Sequence, residues 1–168
     1  SEQLLALGAD IPMCLMSRPA RVGGIGEQVE IIELPTLSAV LVNPRVPVST
    51  PAVFRELTEK DSSPMPGVLP SFSDSAALID WLQSQRNDLE APALRIAPAI
   101  GDVLEALRAT GDCSLARMSG SGATCFGLYS TASSANAAVE DLRQHYPGWW
   151  IAGCELGDQS DAARPRIN

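Results

Sequence analysis

Two short segments carry groups that could do chemistry. In Arg117-Met118-Ser119-Gly120-Ser121-Gly122-Ala123-Thr124, two glycines are separated by one small polar residue. This spacing lets successive backbone N–H groups converge on an anion. Ser119, Gly120, Ser121 and Gly122 are therefore candidates for a phosphate cradle that needs no cationic side chain. A tight Gly-Ser turn between two strands would account for the same residues. The segment is neither a P-loop nor a dinucleotide fingerprint, because the G-K-[ST] ending and the G-x-G-x-x-G spacing are both missing. In Leu7-Gly8-Ala9-Asp10-Ile11-Pro12, Asp10 is a lone acid among small and apolar residues, pinned by Gly8 and Pro12. A carboxylate partly withdrawn from water suits proton abstraction from an alcohol. An aspartate that merely stabilises a turn is the competing explanation.

The other reactive residue types narrow the chemistry. The four cysteines, Cys14, Cys113, Cys125 and Cys154, include no C-x-x-C pair, and His145 is the only histidine. That pattern gives no metal site and no disulfide framework, and it suits a reducing cytosol. His145 stands in Arg143-Gln144-His145-Tyr146-Pro147, a helix-end position where the helix dipole favours a cation. The formal charge is −8, from 20 acidic residues against 12 basic ones, and Lys60 is the only lysine. This balance argues against a nucleic-acid groove or an anionic membrane surface as partner, since both require a basic footprint. Lys60, in Glu59-Lys60-Asp61-Ser62-Ser63, reads as part of a solvated loop.

The elements that must position these residues read as one mixed α+β domain. A chain of 168 residues with 45% apolar and 19% charged residues is long enough to bury a full core. The apolar start, Leu4-Leu5-Ala6-Leu7, lacks a basic flank and is soon interrupted by Asp10 and Pro12, so it predicts neither a signal peptide nor a membrane span. Residues 19–24 and 28–33 suggest a hairpin, and residues 38–43 a buried strand that ends before Pro44. Thr50 followed by Pro51 signals a helix start, with Thr50 as the cap. Residues 62–70 hold Pro64, Pro66, Gly67 and Pro70 and read as a flexible loop. Beyond Ser73, Ala77, Leu78, Trp81 and Leu82 recur at helical spacing. Asn87-Asp88-Leu89-Glu90 has the form of a capping box opening a longer helical stretch, which Pro98 divides and Gly111 closes. Residues 123–129 read as a strand. Ala135, Ala138, Val139 and Leu142 mark one face of another helix, and residues 149–156 suggest a last strand. The absence of regular β-α alternation favours an antiparallel sheet backed by helices.

Taken in order, these segments resemble the GHMP small-molecule kinases, in the branch that acts on a cytidine diphosphate methylerythritol. Leu7-Gly8-Ala9-Asp10-Ile11-Pro12 is similar to the catalytic-aspartate segment of that family, and Gly24-Ile25-Gly26-Glu27 to the glycine hairpin that follows it. Val42-Asn43-Pro44 with Val48-Ser49-Thr50-Pro51-Ala52-Val53-Phe54 resembles a strand and the start of a substrate-binding helix. Asn87-Asp88-Leu89-Glu90 resembles an N-D-x-E segment, and residues 118–126 the third GHMP motif. Each segment alone is weak; their order is specific, and it covers the chain from Leu7 to about Tyr129.

The resemblance implies a GHMP kinase C-terminal domain over residues 1–168, a four-stranded antiparallel sheet packed with helices, with the end of a preceding catalytic segment at residues 1–15. It implies an ATP-dependent cytoplasmic enzyme that phosphorylates the 2-hydroxyl of its cytidyl substrate. Asp10 would be the catalytic carboxylate. Phe54 would stack on the cytosine, Thr50 and Pro51 would line the same pocket, and residues 119–122 would support the ATP phosphate loop. ATP and Mg²⁺ would be held mainly by an N-terminal half that this chain does not contain. No metal ligand is assigned within the chain. The start at Ser1, with a motif almost at once, is expected of a shortened chain. Such a chain should be inactive alone and prone to self-association through apolar surface near Asp10 and Gly120. Two other readings remain: a GHMP kinase for another alcohol, such as mevalonate or homoserine, and a non-catalytic module binding a small ligand or protein.

Overall fold

The computed structural model describes residues 11–58 and 62–163. These residues fall into two compact units. One comprises residues 11–36 with 156–163, and the other the described residues of Leu37–Glu155.

In the first unit, helix α1 (Ile11–Met16) precedes strands β1 (Ala20–Gly23) and β2 (Gln28–Ile31). The two strands pair antiparallel from Ala20↔Ile31 to Gly23↔Gln28, which places the hairpin where its glycines predict. The turn favours Gly24 because its φ of +65 is a backbone conformation that L side chains rarely adopt. The Glu27 carboxylate accepts a bond from the Ile25 N–H at 2.7 Å and closes the turn. Arg18 pairs with Asp158 at 2.9 Å, and the Gln159 N–H donates to the Ser17 carbonyl at 2.8 Å.

The second unit is built on strands β3 (Leu37–Asn43), β4 (Cys113–Met118), β5 (Cys125–Tyr129) and β6 (Trp150–Leu156), in the spatial order β4-β5-β3-β6. They form the antiparallel sheet expected from the sequence. Strand β3 pairs with β5 from Ser38↔Tyr129 to Val42↔Cys125, and β4 pairs with β5 from Cys113↔Tyr129 to Met118↔Cys125. Its helices are α2 (Thr50–Arg55), α3 (Ser75–Gln83), α4 (Glu90–Ile96), α5 (Ala99–Ala109) and α6 (Ala132–His145). Pro98 divides α4 from α5 as expected, since it cannot continue the helical hydrogen-bond ladder.

The core follows from periodicity. Ile100, Val103, Leu104 and Leu107 recur at three- and four-residue spacing on α5 and are all buried, as are Ala135, Ala138, Val139 and Leu142 on α6. They close over Val40 and Val42 of β3, both fully buried on the face that the strand's alternation turns toward these helices. Each large aliphatic side chain so placed contributes roughly 1.5–3 kcal/mol. Gly153 on β6 permits close approach of α6, since a Cβ there would stand 3.3 Å from Val139 Cγ2. One polar pair is buried with the apolar residues. Thr110 Oγ1 donates to the Leu107 carbonyl at 2.7 Å and meets the Tyr129 hydroxyl at 2.8 Å.

Strand β4 is the element that hydrophobic pattern alone does not mark. Cys113-Ser114-Leu115-Ala116-Arg117-Met118 shows no clean alternation, and its pairing slips between Cys113 and Leu115. It becomes a strand because β5 offers it a partner edge.

Candidate functional site

The segment between β4 and β5 turns through two left-handed glycines, Gly120 at φ +55 and Gly122 at φ +89. At Gly122 the constraint is also steric. A Cβ would lie 2.9 Å from Met118 Sδ and 3.1 Å from Ile100 Cδ1, whereas nothing crowds Gly120. Within the loop, the Ser119 N–H donates to the Thr124 carbonyl at 2.9 Å and the Gly122 N–H to the Ser119 carbonyl at 3.1 Å. The N–H groups of Gly120 and Ser121 have no acceptor among the described residues. Two unused N–H groups at a left-handed turn make a small anion-binding concavity.

Three segments hold this loop. From α2, Thr50 Oγ1 bonds Ser121 Oγ at 2.7 Å. From the end of β3, Asn43 Nδ2 donates to Thr124 Oγ1 at 2.9 Å, while Asn43 Oδ1 accepts from the Arg45 N–H at 2.7 Å. From the approach to α4, Asn87 Nδ2 donates to the carbonyls of both Met118 (3.0 Å) and Gly120 (2.8 Å), and Glu90 Oε2 accepts from the Met118 N–H at 2.9 Å.

Two expectations about helix starts are corrected here. Asn87 and Glu90 do not form a reciprocal capping box. Leu89 holds the cap position of α4 without a side-chain bond, and Glu90 reaches across to the loop instead of back to the Asn87 N–H. Asn87 Oδ1 does accept locally, from the Leu89 N–H at 3.0 Å, but its amide group serves the loop. Likewise Thr50 is the first helical residue and not the cap. Ser49 occupies the cap position with no side-chain bond, which frees the Thr50 hydroxyl for Ser121. In both cases the long-range partner competes with the local one, and the sequence pattern records only the local one.

Thr50 and Phe54 are four residues apart and so share one face of α2. Val53 is fully buried, whereas Phe54 is 53% exposed and Pro51 is also exposed. An aromatic ring in that position is not a core residue. It can offer its face to a planar ligand on the side of the helix that touches the loop.

The Arg117 guanidinium is committed to the Leu82 carbonyl at 2.9 Å. Burial lowers its pKa from the ordinary value, and the nearby Glu90 charge opposes that shift. Any anion in the loop would be met by backbone dipoles. His145 sits at the exposed end of α6, where Nδ1 lies 2.9 Å from the Asp141 carbonyl and 3.3 Å from its carboxylate. Among the described residues, no group of three or more His, Cys, Asp or Glu could hold a metal ion. No described helix is long and apolar enough to cross a membrane. Of the residues singled out in the sequence, the structure joins Thr50 to the loop 119–122 and leaves Pro51 and Phe54 exposed on the same short helix. Asp10 and Lys60 lie outside the described residues.

Known proteins resemble this chain in sequence and in fold. Residues 69–148 match the family described as GHMP kinases C terminal. The chain is 50% identical over 167 residues to a 4-diphosphocytidyl-2-C-methyl-D-erythritol kinase from Roseobacter denitrificans, covering 99% of this chain and 56% of that protein. It is 53% identical over 152 residues to the protein of the same name from Paracoccus denitrificans, covering 90% and 55%. The chain thus spans about half the length of the curated relatives it matches. A crystal structure of a 4-(cytidine 5'-diphospho)-2C-methyl-D-erythritol kinase superposes with a TM-score of 0.70 at 33% identity, over 91% of this chain and 55% of that one. A homoserine kinase from Cytophaga hutchinsonii superposes with a TM-score of 0.59 at 18% identity, over 89% and 52%, a likeness of fold alone.

Proposed function

This chain carries the C-terminal domain of the GHMP kinases, and from that premise we propose that it works within an ATP-dependent kinase for 4-diphosphocytidyl-2-C-methyl-D-erythritol. The observation that carries this reading is the loop 119–122. Its Gly120 and Ser121 N–H groups have no acceptor among the described residues, and Thr50 ties it to the helix that exposes Phe54. Phosphate chemistry and a nucleobase-sized aromatic face therefore meet along one helix.

In this reading the substrate's cytosine stacks on Phe54, with Thr50 and Pro51 lining that end. Stacking on an aromatic face is worth roughly 1–3 kcal/mol per base. Residues 119–122 support the ATP phosphates through backbone dipoles. Asp10, by its motif, accepts or orients the proton of the 2-hydroxyl as that oxygen attacks the γ-phosphorus and ADP leaves. Mg²⁺ supplies charge neutralisation on the phosphates. It and most of the ATP contacts belong to the part of the enzyme that corresponds to the relatives' remaining length. The reaction is placed in the cytoplasm, in isoprenoid precursor synthesis.

The test is ATP-dependent phosphate transfer by the full enzyme containing this chain, with the cytidyl alcohol, mevalonate and homoserine as parallel acceptors. The reading expects transfer to the cytidyl alcohol alone, lost in Asp10→Asn. Transfer to homoserine or mevalonate in preference would overturn the substrate assignment, and nucleotide-independent ligand binding without transfer would favour the non-catalytic module.

A further inference from the structure

We infer that Asn87 and Glu90 are positioning residues, which aim the backbone of the loop 119–122 at phosphate. This rests on the kinase reading for its biological meaning, although the geometry stands separately.

The argument starts from the peptide group. In a trans peptide the C=O and the following N–H point in opposite directions. Asn87 Nδ2 binds the Gly120 carbonyl at 2.8 Å. It therefore turns the N–H of the same peptide, that of Ser121, away from α4 and toward the open side of the loop. The second Asn87 bond, to the Met118 carbonyl at 3.0 Å, orients the Met118–Ser119 peptide in the same way. The N–H of that peptide, from Ser119, is sent to Thr124 at 2.9 Å. Glu90 takes the Met118 N–H at 2.9 Å, so both polar groups of Met118 are held by the 87–90 segment. A Gly-Ser-Gly turn left to itself samples many peptide orientations, because glycine is free on both sides of φ. Here the orientation is imposed by two side chains from a segment about thirty residues away in the chain.

Asn87 is also held from its other end. Its Oδ1 accepts from the Leu89 N–H, so the amide cannot flip without losing that bond. Glu90 is only partly exposed and lies beside Arg117, whose guanidinium is anchored on Leu82. The 87–90 segment is thus a fixed clasp, and the loop is its load.

The experiment compares Asn87→Asp, Glu90→Gln and Glu90→Leu with the wild-type full enzyme. Asn87→Asp keeps the acceptor for Leu89 but sets a carboxylate against two carbonyl oxygens. It should raise KM for ATP about 10-fold, the size expected for loss of one well-placed hydrogen bond to a charged group, with KM for the alcohol nearly unchanged. Glu90→Gln retains an acceptor oxygen and should stay near wild type, whereas Glu90→Leu should follow Asn87→Asp. Amide hydrogen exchange at Met118, Ser119 and Gly122 should quicken in Asn87→Asp and Glu90→Leu but not in Glu90→Gln. Equal rises in both KM values, or effects that track a general fall in Tm, would reduce the pair to structural residues and overturn the inference. If the wild-type enzyme transfers no phosphate at all, the kinase reading falls by itself. The exchange measurement then decides alone: unchanged exchange in Asn87→Asp sinks the clasp, and faster exchange confined to the loop upholds it.

Discussion

At the scale of single residues, Phe54 and Cys125 make opposite predictions. Phe54 is 53% exposed and lies outside the buried core, so Phe54→Ala should change stability by no more than about 0.5 kcal/mol. If its ring stacks on cytosine, the same variant should raise KM for the cytidyl substrate by roughly 5- to 150-fold, and Phe54→Tyr should restore it. Steady-state kinetics beside a thermal melt separates the two effects. Cys125 is fully buried, and burial pushes its thiol up to about 12 from an ordinary 9.0, with the Glu90 charge adding to the shift. The folded state therefore keeps a proton that the unfolded chain gives up earlier. The stability from this group is complete below pH 9 and falls as pH rises from there toward 12. Cys113 and Tyr129 are shifted the same way by burial, so the alkaline limb should be steep. Denaturation midpoints measured against pH should show that limb flattened in Cys125→Ala.

At the scale of elements, the loop glycines and the helix caps can be ranked. Gly122→Ala meets Met118 and Ile100 as well as an unfavourable φ, whereas Gly120→Ala meets only the φ. The first should cost clearly more than the second, for which about 1–2 kcal/mol is expected. Urea titration of the two variants checks the order. Thr131 caps α6 by accepting from the Ser134 N–H at 3.1 Å, so Thr131→Ala should lose about 1 kcal/mol. These elements also show what a sequence can disclose. The buried face of α6 and the break at Pro98 were legible, because periodicity and proline act within one turn of chain. The partners of Thr50, Asn87 and Glu90 were not legible, because each has a plausible local role and the deciding contact lies dozens of residues away. Strand β4 was hidden for the same reason, since its strand character comes from β5. The loop 119–122 was marked as a candidate by its glycine spacing alone, and resemblance to a family supplied what local physics could not, a reason to read the separate segments together.

At the scale of the whole molecule, the chain matches about half of its relatives' length, and residues 1–168 purified alone should transfer no phosphate from ATP. Transfer by that piece, abolished by Asp10→Asn, would refute the division of labour proposed above. The sheet order β4-β5-β3-β6 has a consequence of another kind. Strand β6 is made last, yet its neighbour β3 is made early and leads straight into the helix that carries Thr50. Until residues 150–156 have been synthesised, β3 has an unpaired backbone edge, and pairing across so long a separation in sequence is slow. The nascent chain therefore passes through an interval in which its central strand is open to misassociation with other chains. Ribosome-bound chains stopped before Trp150 should recruit holdase chaperones, and chains extended past Leu156 should release them.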